Sequence, residues 1–228
     1  MAARPSEQAP FSLQNFLQNL QDTICVRSPS SLQGCDGVFF KPSQSRISKL
    51  KDQICLQAVA AIVRRIGFDE GRVGAVARIL TDAAVLPPGA PWTSPDLSPQ
   101  DVASLMLGAA LDVPLRAVVD AVRDYRALRR EGVPDGAPFA ISVATTGEEL
   151  DVLAEIAATG SPEAKARAAK TIITVVNSWP EVVPIDQIDT RRFSAGAPSH
   201  WQASRHRKSV EINAAALVDV INELFGDQ

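Results

Sequence analysis

The chain has 228 residues, a formal net charge of −3, 46% hydrophobic and 21% charged residues, and 13 Gly and 16 Pro. That length buries a sizeable core in one or two domains, and the composition excludes collagen-like, generally disordered and membrane-spanning classes. Three Trp, one Tyr and eight Phe leave the core to Ala, Val, Leu and Ile, which suits close helix packing and predicts a mainly α fold, with α+β as the alternative.

Met1 to Pro10 is polar and lacks the basic-then-apolar pattern of a secretory leader. No apolar run approaches the roughly 20 residues that cross a bilayer. Cytoplasmic residence without a membrane partner is the expectation. From Ser12, apolar Leu13, Phe16, Leu17, Leu20 and Ile24 recur at helical spacing. Residues 27–45 are Ser-, Pro- and Gly-rich around Val38-Phe39-Phe40. The stretch 1–45 therefore reads as an amphipathic helix and an irregular arm. Cys25, Cys35 and Cys55 are spaced neither as a disulfide framework nor as a compact metal site, and Cys55 is expected as a buried thiol.

The clearest unit is 46–131, a four-helix module. Ile47, Leu50, Ile54, Ala58, Ala61, Ile62 and Ile66 mark one face of a helix that stops near Gly67. A second helix follows Asp69, with Val73, Val76, Ala77 and Leu80 as its stripe, and ends before Pro87-Pro88-Gly89. Trp92 is expected to anchor the following loop. Ser98-Pro99-Gln100-Asp101 starts a third: Ser98 caps, Pro99 fits the first helical position, and Asp101 favours the first turn. Pro114 interrupts the pattern, and Leu115, Val118, Val119 and Val122 carry the fourth helix to about 130.

Gly132 to Pro138 reads as a linker to a mixed helical region, 139–228. Phe139–Val143 alternates as a strand would. Thr146 and Glu149 have capping-box spacing ahead of a helix. Ser161-Pro162-Glu163 starts another, read through Ile172, Val175 and Val176 to Pro180, with Trp179 covering its end. Ser209–Ile212 is a second strand, expected to pair with 139–143, and Asn213 caps the last helix.

No catalytic signature emerges, and the chain reads as a non-enzyme without cofactor or metal. His200 and His206 are the only histidines. They lack the spacing of a metal motif, and no phosphate-binding glycine loop is present. Glu148, Glu149 and Asp151 are explained by exposed amides and the helix dipole.

Charge is polarised along the chain. Residues 41–85 hold eight Lys or Arg against four acids, and 189–208 hold five against Asp189; residues 140–188 and 209–228 are acidic. Phosphate contact depends on such local charge. The candidate nucleic-acid contacts are Arg46, Lys49, Arg64, Arg65, Arg72 and Arg78, then Arg191, Arg192, Arg205, Arg207 and Lys208. Trp201 is the candidate for base stacking or a partner contact. Solvation of amphipathic helices is the competing explanation for these charges.

The helix pairs 54–66 with 70–84 and 99–111 with 115–130 resemble the hairpins of helix-turn-helix proteins. Ala77–Pro87 (ARILTDAAVLP) and Asp96–Ala103 (DLSPQDVA) are similar to stretches in phage- or prophage-associated regulatory proteins, a resemblance confined to 55–130. It implies a helix-turn-helix-like module, double-stranded DNA as partner, and Arg72 and Arg78 as contacts in transcription regulation. A homo-oligomer is the accompanying expectation. The helix at 99–111, almost wholly apolar or small, departs from that pattern and offers no base-reading surface. The alternative function is a non-enzymatic protein-interaction or assembly adaptor.

Overall fold

Local sequence signals set the helices of this computed structural model, which describes residues 56–87, 97–131, 143–195 and 206–226. Residues 56–66 (α1) are helical and end at Gly67, whose φ of +88° is open to glycine at no steric cost. Asp69 accepts from the Arg72 amide at 2.8 Å and caps α2, Glu70–Asp82. Ala84 takes the left-handed conformation after α2, where glycine is usual, and the Val85 and Leu86 amides donate back to the Leu80 carbonyl. Ser98 and Asp101 form a reciprocal capping box on α3, Pro99–Ala110, with Pro99 in its first turn. A 3₁₀ turn at Leu115–Ala117 leads into α4, Val118–Arg126.

After β1 (Arg129–Arg130), α5 spans Thr146–Thr159 and α6 Pro162–Ala168, the latter capped by Ser161. The sequence continues as β2 (Ile172–Val176), β3 (Glu181–Ile185), β4 (Phe193–Ser194) and β5 (Ser209–Asn213), closing with α7, Ala214–Phe225, capped by Asn213. The five strands form an antiparallel sheet in the order β1-β4-β3-β2-β5. The described residues are thus mainly helical with a small sheet.

Two expectations need correcting. The helix begun at Ser161 does not run to Pro180: it ends at Ala168, and Ile172–Val176 is a strand. All six residues from Thr171 to Val176 are β-branched, and such side chains lose χ1 freedom in a helix but pack well on a pleated surface. Ser209–Asn213 is a strand, as read for 209–212, and pairs with β2; its expected partner at 139–143 lies outside the described residues but for Val143. The capping box of α5 is Thr145 with Glu148, one residue earlier than expected, because Glu149 is drawn inward by an arginine described below.

Register divides the sheet into two faces. Ile173, Val175, Val182 and Ile212 turn toward the helices and join the core. Thr174 lies beside Val183 on one side and Glu211 on the other, on the opposite face. One hydrophobic cluster contains Ile62, Leu80, Met106 and Val122 together with Leu150, Ile173, Phe193 and Ile221. Gly108 permits a close approach within it: a Cβ there would lie 2.9 Å from Val76 Cγ1 and 3.2 Å from Val122 Cγ2. Every described residue belongs to one unit of the chain, Pro42–Gln228. Among the described residues no helix is long and apolar enough to cross a membrane. The helix from Ser12, the arm at 27–45, Cys55, Trp92, the linker 132–138 and residues 139–142 lie outside the described residues.

Candidate functional site

The nominated cations divide by what holds them. Arg64 and Arg65, at the end of α1, reach across to α7: both pair with Glu223, and Arg65 lies 4.0 Å from Asp219. The hydrogen bond from Arg64 is the main cause holding the Glu223 carboxyl below its ordinary range. Arg72 donates to the Leu111 carbonyl, placing a cation at the C-terminal end of α3. Lys208 pairs with Asp112 beside it, and its hydrogen bond lowers that carboxyl too. Arg78 stands apart, its side chain 85% exposed and paired with Asp82 at 3.9 Å. Arg64 and Arg65 thus share one acid, Arg72 is held by a carbonyl, and Lys208 and Arg78 each have an acid of their own. Arg46, Lys49, Arg205 and Trp201 lie outside the described residues.

Arg191 and Arg192, adjacent in sequence, enter two different networks. Arg191 bridges Glu149 of α5 and Asp186, at 3.1 Å each. Burial raises the Glu149 carboxyl above its ordinary value, with Arg191 and Arg130 opposing in part. Burial also pushes Asp186 upward, but the Ile188 and Asp189 amides and Arg191 outweigh it and leave that carboxyl lowered. The same two amide bonds fix the loop that holds Ile188 at its tip, 78% exposed.

Arg192 instead meets Glu181, a buried carboxylate at the start of β3. Glu181 Oε2 accepts from Trp179 Nε1 at 2.5 Å and from Arg192 Nη2 at 2.9 Å, and Oε1 lies 3.5 Å from Arg207 Nη2. Glu131 takes a second contact from Arg192 at 3.5 Å. Three donors around one buried carboxylate satisfy the rule that buried charge must be paired. Trp179 therefore sits in the turn between β2 and β3 and binds a carboxylate; it does not cover a helix end.

This network forms one wall of a cavity of about 680 Å³ on the sheet face turned from the core. Its floor is the cross-strand row Glu211, Thr174, Val183, and Ile185 and Thr190 stand opposite Trp179. Thr174 is 4% exposed, and among the described residues its hydroxyl has no hydrogen-bond partner. Glu211 has no ion-pair partner there either. His206 lines the rim. Among the described residues no group of three or more His, Cys, Asp or Glu is placed to hold a metal ion.

Of the site residues, sequence reasoning singled out Arg192, Arg207 and His206 but missed Glu181, Thr174 and Glu211. The available signal was the pair of β-branched runs, Thr171–Val176 and Val182–Val183, whose pairing places alternate residues on one face. No family model, curated protein or solved structure matches the chain.

Proposed function

We propose that the protein binds double-stranded DNA as a regulatory or phage-related accessory protein, with α2 as the helix laid in the major groove. The observation that carries this reading is the joint between α1 and α2: two helices separated by the three residues 67–69, with Gly67 at φ +88° and Asp69 capping the second helix. Helix-turn-helix units use such a short, glycine-bearing turn to present their second helix to a groove. The side of α2 away from its buried stripe carries Gly71, Gly74 and Arg78. A Cβ at Gly74 would meet nothing within 4 Å, so that side is slim enough for close approach to a groove. Arg78 is the contact this arrangement favours. Arg64 and Arg65, roughly half exposed, can exchange Glu223 for phosphate, and a homo-oligomer would bring two such units to adjacent half-sites.

The test is fluorescence anisotropy with a labelled duplex at two salt concentrations. Three cationic contacts predict about a 40-fold loss of affinity between roughly 50 and 200 mM salt, and Arg78→Glu should weaken binding at both. Absence of binding at low salt, indifference to salt, or full binding by R78E would overturn the reading.

A second reading, a protein-interaction or assembly adaptor, is favoured by Ile188. An isoleucine that exposed, on a loop fixed by Asp186 and the Arg191 ion pairs, is pre-organised for an apolar contact. Sedimentation velocity over a concentration series should show self-association that Ile188→Asp removes; a monomer throughout would count against assembly through this loop.

A further inference from the structure

We propose that the cavity on the outer face of the sheet binds a small amphipathic organic amine, with its ammonium between Glu211 and Thr174 and its apolar body over Val183 and Ile185. The cavity's volume falls within the range of small-molecule sites, roughly 300–1,000 Å³. The argument for its chemistry rests on which polar groups are already satisfied.

Both guanidiniums in the wall are committed. Arg192 bridges Glu181 and Glu131, and Arg207 faces Glu181. Two acids thus balance two bases, and the cavity carboxylate left without an ion-pair partner among the described residues is Glu211. Its neighbour across the strand pair is Thr174, a nearly buried residue that lines the cavity and whose hydroxyl has no hydrogen-bond partner among the described residues. The hydroxyl opens on the cavity and the carboxylate beside it is exposed, and an ammonium supplies several donors for the two together. The row continues from Thr174 to Val183, with Ile185 beyond it and the Trp179 indole at the other end. A cation at one side and apolar surface next to it define an amphipathic amine. A carboxylate ligand would have to draw Arg207 from Glu181 while facing Glu211.

The inference is independent of DNA binding and is tested without it. Three probes of matched shape, 2-phenylethylamine, 3-phenylpropionate and 2-phenylethanol, are titrated into the full chain while the backbone amide resonances of Thr174 and Val183 and the Trp179 indole are followed by NMR. The amine should shift these signals saturably, with affinity about tenfold above that of the alcohol. Glu211→Gln should bring the amine down to the alcohol's level, with the dispersed spectrum showing that the variant is folded. Arg207→Gln should leave amine binding in place. Three results overturn the proposal: no saturable shift with any probe, amine binding unchanged in E211Q, or a carboxylate that binds more tightly than the amine and is lost in R207Q.

Discussion

Tyr125, on α4, lies 2.6 Å from the Val176 carbonyl, to which its hydroxyl donates, and 3.3 Å from that of Trp179. It ties a helix to the turn that supports the cavity wall. Burial, with a smaller contribution from Glu181, pushes the phenol from its ordinary 10 up to about 12. Because it is the only tyrosine in the chain, absorbance at the phenolate band reads this one group. The folded protein should titrate near 12 and the denatured chain near 10. Between those values the unfolded chain has lost the proton and the folded chain has kept it, so stability is full below 10 and falls as pH rises through the window. Tyr125→Phe should abolish the folded titration and cost about 1–2 kcal/mol, since it leaves a buried carbonyl short of a donor. A phenolate midpoint near 10 in the folded chain would contradict the burial. None of this was legible beforehand, because a lone tyrosine on an apolar stripe does not disclose a partner 51 positions away. Arg191 and Arg192 show the same limit: they read as one basic pair, yet alternation sends them into separate networks.

At the scale of elements, punctuation was readable and pairing was not. Ser98 and Asn213 cap the helices they were expected to cap, and Asp69 and Ser161 cap the helices expected to start beside them, since a cap is a local interaction between a side chain and amides two or three residues on. The strand Ile172–Val176 was absorbed into a helix because periodicity alone does not separate a short apolar strand from the end of a helix. Pro184 further disguised β3. Asn177 donates to Lys208 and Ala214 to Thr171, which directs the odd-numbered residues of β2 toward β5. Pro184, opposite Ile173, therefore sits where β2 needs no amide from it, and a central strand tolerates the proline. The shifted capping box gives a sharp test. Thr145 accepts from Glu148 N at 3.3 Å, whereas the Thr146 hydroxyl is buried without a partner. Thr145→Ala should cost about 1 kcal/mol. Thr146→Val, nearly isosteric, should leave stability unchanged or raise it by up to about 1 kcal/mol. Urea denaturation of the two variants measures both, and a larger loss in T146V than in T145A would return the cap to the later threonine.

For the molecule as a whole, the decisive element is α5. The sequence suggests a helical module at 46–131 and a mixed region at 139–228, because the Gly- and Pro-containing stretch between them looks like a boundary. Yet α5, from the second region, packs on α3 and α4 of the first as well as on α6 and α7. Leu150, fully buried, belongs to the same cluster as Met106 and Ile221. A linker's composition reports local backbone freedom but says nothing about which apolar faces meet across it; α3, buried along its length from Val102 to Ala110, needs more cover than α2 and α4 provide, and α5 supplies it. Regions sharing a core through one helix should unfold together. Leu150→Ala should then move a single transition, detected coincidently by far-UV circular dichroism and tryptophan emission, by about 2–5 kcal/mol. Two transitions, with only the one reporting on 139–228 displaced, would mean that the regions fold separately and that α5 adds little to the helical half.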